Sequence, residues 1–164
     1  MDKPRAGAES WLMLAVFLGA SALAAGLGGA FTATSVGTWY QELRRPGFAP
    51  PNWLFGPMWT LLYAMMAVAA WLAWRAPGKT GERRAAMLWH AIQLLLNAGW
   101  SIAFFGLRSP GLGLVWIVVL LVAIAATMRA FCRLDCKAAL LMLPYLLWVA
   151  FAAMLNAGFW ILNR

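Results

Sequence analysis

Five stretches of this chain stay apolar for about as long as a helix needs to cross a lipid bilayer. They cover residues 11–33, 53–74, 85–107, 110–128 and 138–162, and a spanning helix takes about 20 residues. Inside hydrocarbon every backbone N–H and C=O needs a partner within the protein, which a helix supplies by itself. No stretch alternates in the sustained way a membrane barrel requires. Composition agrees: 64% of the residues are hydrophobic and the mean hydropathy is +0.75, against roughly 45–50% apolar residues in soluble chains. The connectors are short. The expected fold is therefore an all-α integral membrane protein with one domain, 1–164. It is a bundle of five transmembrane helices with a long Pro/Trp-rich loop between the first two. The first stretch has a rival reading, since Lys3 and Arg5 precede an apolar run and "SALAAG" has the small residues of a signal-peptide cleavage site. The run continues to about Ala33, so a retained helix is expected.

Charge gives an orientation. With five spans, Lys3, Arg5, Arg75, Lys79, Arg83, Arg84, Arg129, Arg133 and Lys137 fall on one side, and Arg44, Arg45, Arg108 and Arg164 on the other. The excess of basic residues marks the cytoplasmic side, which puts the N-terminus in the cytoplasm. The net charge of +8 is accounted for by these connectors at a bilayer surface, and no nucleic-acid motif accompanies it.

The carboxylates Asp2, Glu9, Glu42, Glu82 and Asp135 all lie at termini or connectors. Proton- and cation-coupled transporters keep an ionisable group in the membrane, so this pattern counts against a pump. It also removes the paired carboxylates of general acid–base catalysis. His90 falls near the start of the third span, where a solvated or interfacial imidazole is expected; axial ligation of a haem is the minor alternative. Cys132 and Cys136 lack further metal ligands and read as packed or exposed thiols. No metal site is expected. In the first span, Ala22, Gly26 and Ala30 have a four-residue spacing that allows close helix packing.

Tryptophan is the residue in excess. Of the 11, most stand near span ends and suit an interfacial belt. Trp59, Trp100 and Trp148 stand deeper and carry polar neighbours at helical spacing. Trp59 pairs with Tyr63. Gln93, Asn97, Trp100 and Phe104 form a stripe on the third span, and Tyr145, Trp148, Ala152 and Asn156 form one on the fifth. Such stripes face a bundle interior, where they hydrogen-bond between helices or line a site for a flat apolar ligand. The connector "RRPGFAPPNWLFGPMW" bears on that choice. Pro46, Pro50 and Pro51 exclude a helix, Asn52 is placed to cap the second span, and Trp39, Tyr40 and Phe48 give the segment apolar faces. It is either a lid over the bundle or a stiff connector at the lipid interface.

Three runs in order along the chain carry a family resemblance: "WYQELRRPGFAPPNWLFGPMWTLLY", "LLLNAGWSIAFFGLR" and "LPYLLWVAFAAMLN". Together they resemble the TspO/MBR family, the tryptophan-rich sensory and translocator proteins. The resemblance implies a five-helix bundle that dimerises with a second copy of itself. It implies a receptor or sensor binding porphyrins such as protoporphyrin IX, and also sterols or isoquinoline and benzodiazepine-type drugs, in a pocket under the first loop. No cofactor is required, porphyrin being the ligand. The matching positions are Tyr40 and Pro51 in the loop, Trp59 and Tyr63, then Asn97, Trp100 and Ser101, and Trp148 and Ala152; Trp39, as an aromatic of the lid, is expected to contact the ligand with them. Alternative family readings are a tetrapyrrole or sterol transporter, and an enzyme that degrades porphyrin with light or oxygen, with Trp59 and Trp148 as the catalytic candidates. Some members carry a carboxylate in the fourth helix, and "WIVVLLVAIAA" here has none. A weak sterol motif is offered by Leu155, Phe159 and Arg164, with Phe where Tyr is required; Leu155 and Phe159 are expected to make ordinary packing or lipid contacts.

Overall fold

The computed structural model describes residues 7–164, so the charges of Lys3 and Arg5 lie outside the described residues. The elements are all helical. α1 is Ala8–Val36 and α2 a single turn, Trp39–Glu42; a 3₁₀ turn, Asn52–Leu54, leads into α3, Phe55–Arg75. α4 is Thr80–Ser101 and continues as a π-helical turn, Ile102–Gly106; α5 is Pro110–Cys132, α6 Cys136–Leu141 and α7 Leu143–Leu162. Five helical stretches are long and apolar enough to cross a membrane: Ala8–Val36, Asn52–Arg75, Thr80–Gly106, Pro110–Cys132 and Cys136–Leu162. α1 passes through "SALAAG" without a break.

Where the ends differ from the sequence reading, local chemistry explains it. α4 begins at Thr80, ahead of the first apolar residue, because Glu82 turns back to accept a hydrogen bond from the Lys79 amide at 3.4 Å. Arg83 thereby enters the helix and is buried, donating to the Ala76 carbonyl at 3.0 Å. The last stretch is broken at Met142, since Pro144 has no N–H to continue the ladder from α6. Asn52 makes no capping hydrogen bond, contrary to the expectation for it. Cys132 and Cys136 are joined in a disulfide, not left as thiols.

Glycines decide how closely the helices approach. α1 and α4 run parallel and in register, with Phe17 edge-on to His90 at 5.9 Å and Gly28 against Ser101. A Cβ at Gly28 would stand 3.0 Å from the Ser101 hydroxyl. Gly28 is thus the close-packing residue of α1; Gly26, in the expected small-residue stripe, has open space around it. Between α4 and α5, a Cβ at Gly99 would lie 2.5 Å from the Trp116 ring, whose N–H donates to the Leu96 carbonyl at 2.8 Å. The centre of the bundle is filled by Leu62, Met66, Ile117, Leu120, Ile124, Phe131, Met142 and Val149, with Ala67, Ala69, Ala70 and Ala73 keeping α3 close to its neighbours.

The first loop is strapped to α7. The Arg44 amide donates to Asn163 Oδ1 at 2.9 Å, and Asn163 Nδ2 donates to the Arg44 carbonyl at 3.0 Å. Pro46 seats on Gly158, where a Cβ would come within 2.6 Å of the ring. Phe48 packs edge-on against Phe151 at 6.4 Å. The segment therefore folds back over the bundle.

These contacts separate two glycines of equal helix propensity. Gly99→Ala is expected to cost about 1–3 kcal/mol, because the Trp116 ring cannot yield. Gly19→Ala, which would meet nothing within 4 Å, should gain about 0.5–1 kcal/mol. Thermal unfolding of both variants in detergent checks the sign of each change.

Candidate ligand-binding cavity

A cavity of about 760 Å³ lies between α1, α3, α4 and α7, with Tyr40 of α2 on its wall. Along α1 its lining runs from Leu18 to Val36, roughly 27 Å at 1.5 Å per residue. Small residues of α1 make one side, at Ala22, Ala25, Gly28, Gly29 and Ala33; rings make the other, at Trp59, Tyr63, Trp100, Phe104 and Phe159. Among the described residues, no Asp, Glu, Lys, Arg or His lines it.

The π-helical turn shapes the ring side. The Leu107 amide donates to the Ile102 carbonyl, five residues back, at 2.8 Å. The wider turn lets the consecutive residues Phe104 and Phe105 both reach the cavity, and such turns cluster at functional sites. The Ser35 hydroxyl of α1 donates to the Phe105 carbonyl at 2.8 Å and so ties the turn to α1. Trp100 stacks on Phe104 at 5.5 Å, and its N–H donates to Asn156 Oδ1 at 3.2 Å. Asn156 in turn donates to the Pro110 carbonyl at 2.6 Å, and Gly113 leaves room for its side chain.

A chain of hydrogen bonds leads from the cavity into the bundle. The Tyr63 hydroxyl donates to Asn97 Oδ1. Asn97 Nδ2 donates to the Tyr145 hydroxyl at 2.9 Å, which donates to Gln93 Oε1 at 3.0 Å. Gln93 Nε2 stands 3.3 Å from His90 Nδ1. His90 is 3% exposed and packs against Phe17 and Phe131. The sequence reading expected a solvated or interfacial imidazole; His90 is instead buried in the bundle, and it is not among the residues that line the cavity. Its place on the buried face follows from a spacing of three to Gln93 and seven to Asn97. At the roof, burial pushes the Tyr40 phenol above its ordinary value of 10, while the Arg45 guanidinium, 5.8 Å from the ring centre, acts the other way.

Of the residues singled out from sequence, Tyr40, Trp59, Tyr63, Asn97, Trp100, Ser101, Ala152, Leu155 and Phe159 line the cavity. Leu155 and Phe159 are thus wall residues, not lipid contacts. Four others are elsewhere. Trp39 packs edge-on to Phe104 at 5.8 Å, one layer back. Pro51 holds extended backbone before the 3₁₀ turn. Trp148 is turned to the side of the Tyr145–Ala152 line and packs between Phe55 and Phe151. Arg164 lies over the Trp160 ring at 5.7 Å. Sequence reasoning missed the α1 wall. Its signal was a run of residues at 18, 22, 25, 29 and 33, a helical spacing of three and four on a face otherwise read as plain membrane span.

The family model described as the TspO/MBR family matches residues 13–161. The chain belongs to the TspO/MBR family. Among its relatives, the tryptophan-rich protein TspO of Chlorobaculum tepidum is 43% identical over 145 residues, 88% of this chain and 92% of the relative. The translocator protein of Homo sapiens is 35% identical over 154 residues, 93% of this chain and 91% of the relative. The tryptophan-rich sensory protein of Cereibacter sphaeroides is 38% identical over 118 residues, 72% of each chain. As a TspO/MBR protein, this chain is a multi-pass membrane protein, and its five long apolar helices are the membrane spans.

Tyr145 is the middle of the hydrogen-bond chain and is fully buried. Tyr145→Phe strips partners from both Gln93 and Asn97, so a loss of about 1–3 kcal/mol is expected. An unchanged melting temperature would mean that the chain does not hold the helices together.

Proposed function

We propose that this TspO/MBR protein is a membrane receptor or sensor that binds tetrapyrroles such as protoporphyrin IX. The observation that carries the reading is the cavity: long, charge-free, and faced by rings opposite a flat wall of small residues. Its volume of about 760 Å³ falls within the roughly 300–1,000 Å³ of small-molecule sites. A planar macrocycle would lay its faces against Trp59, Trp100 and Phe104 while its edge passes the small α1 wall. Its carboxylates would stay at the roof, near Arg45, because charge is costly deeper in the membrane. The same wall suits neutral flat drugs and sterols, which need no charged contact.

Receptor, carrier and enzyme readings predict different outcomes from one preparation. Titration of purified protein with protoporphyrin IX in the dark should give saturable binding by absorbance. Turnover of the bound porphyrin under light would favour the enzyme, although of the two indoles proposed for that role only Trp59 is on the wall. Flux through protein-loaded vesicles would favour the carrier. Ala152 is buried on the wall of α7. Ala152→Phe should fill part of the space and weaken binding about tenfold or more; wild-type affinity in folded Ala152→Phe would move the site elsewhere.

The charge asymmetry supports an N-terminus in the cytoplasm, with the Pro/Trp-rich loop on the opposite side. Single cysteines at positions 79 and 47, in a background without Cys132 and Cys136, test this by labelling of intact cells from outside. Position 47 is expected to react and position 79 to be protected; the reverse pattern inverts the topology.

A further inference from the structure

The disulfide between Cys132 and Cys136 has no part in the cavity, and its position marks it off from a structural staple. Both cysteines are exposed, at the end of α5 and the start of α6, four residues apart. The entropy a disulfide removes from the unfolded chain grows with the length of the loop it closes, and this loop holds only Arg133, Leu134 and Asp135. The turn is also shaped without the bond. The Leu134 and Asp135 amides both donate to the Phe131 carbonyl, at 2.9 and 2.8 Å, and the Asp135 carboxylate accepts from the Lys137 amide at 2.8 Å. Leu134 seats on the connector between α3 and α4, where a Cβ at Gly78 would come within 2.6 Å of its side chain.

Linkage then bears on the bond itself, because what a disulfide contributes to the fold, the fold contributes to the disulfide. A bond that contributes little here gains little resistance to reduction, and exposure opens it to attack; such disulfides are the labile, regulatory or catalytic ones. The surroundings suit exchange. Arg129, Arg133 and Lys137 are exposed around the pair, with Asp135 the one carboxylate in the stretch, and cationic neighbours favour the thiolate that attacks and leaves. Once reduced, Cys136 has an acceptor for its S–H, since the Cys132 carbonyl oxygen is 3.3 Å from its sulfur. The topology given above puts the pair on the cytoplasmic side. Disulfides are rare there, and those that form are usually transient, catalytic or redox-sensing.

We propose that Cys132 and Cys136 are a reversible thiol–disulfide exchange site for low-molecular-weight thiols. A thiolate of the small molecule attacks one cysteine sulfur, the bond between the two cysteines breaks, and the other cysteine leaves as a thiolate that takes up a proton. A second small-molecule thiolate attacks the mixed disulfide at its small-molecule sulfur and releases the first cysteine. Two electrons pass from two small thiols to the protein, which gains two thiols while the small molecule becomes its own disulfide. The reverse sequence closes the pair again, with the small-molecule disulfide as oxidant.

Glutathione is the probe, on the purified full chain in detergent, with free thiols counted by alkylation and intact mass. Measured this way, the outcome does not depend on which way the protein sits in the membrane. Excess reduced glutathione should raise the count from none to two, the number of cysteines in the chain, and excess glutathione disulfide should return it to none. Cys136→Ser leaves Cys132 with no second thiol to displace glutathione. Treated with glutathione disulfide, that variant should retain one glutathione per chain, whereas wild type retains none. Reduced and oxidised wild type should melt at nearly the same temperature. A pair that stays closed in excess reduced glutathione, or that glutathione disulfide does not close again, overturns the proposal, as does a Cys136→Ser chain that takes up no glutathione. A large fall in melting temperature on reduction overturns it too, because the bond would then be a structural staple.

Discussion

Helices in a bilayer gain little from burying apolar surface against one another, because lipid tails are as apolar as leucine. What fixes α3, α4 and α7 in their rotations is therefore the hydrogen-bonded set Tyr63, Asn97, Tyr145 and Gln93. Each of these groups would be orphaned if one helix turned about its axis by one residue, and an orphaned polar group in a medium without water is costly. Once those rotations are set, Trp59 and Tyr63 of α3, Trp100 of α4, Phe104 of the π-helical turn that follows it, and Ala152 and Phe159 of α7 all face one space. The cavity follows from how the bundle satisfies its own polar groups.

Space remains there because α1 is held elsewhere. Gly28 lets α1 approach α4 at Ser101, Trp71 of α3 donates to Ser10 at its other end, and Ser35 fastens it to the π-helical turn. These anchors bring α1 onto α3 and α4 but give it no comparable hold on α7. The gap is bridged by the loop, which α7 grips through Asn163, Gly158 and Phe151. The connector composition therefore serves two ends: prolines that fit onto a glycine notch, and a buried Tyr40 that reaches the cavity and packs on Phe159 at 5.2 Å. A loop strapped at several points would limit exchange of a bound ligand more than a free connector would. This gives the lid reading of the sequence a physical basis.

Most of the cavity wall is aromatic or small and apolar. Aromatic faces are tolerant of which flat molecule lies on them, so they contribute affinity with little selectivity. Selectivity within a set of similar flat molecules comes from a few placed polar groups.

Sequence alone determined the five spans, because hydrocarbon permits few structures and the length of each apolar run is a direct measure of helix length. It determined the polar stripe of α4 as well, since spacing of three and four places Gln93 and Asn97 on one face whatever they touch. The family was legible from three motifs in order. What sequence did not determine was which side of a stripe each ring would take. Trp148 shares helical spacing with Tyr145 and Ala152 yet is turned onto Phe55, because its partner lies on another helix. His90 looked interfacial by position and is buried, because α4 begins earlier than its apolar run and carries the imidazole inward between Phe17 and Phe131. The α1 wall and the π-helical turn were decided by tertiary structure alone. Small apolar residues and two adjacent phenylalanines have the same local propensity wherever they sit, and only the neighbouring helices determine which of them border a cavity.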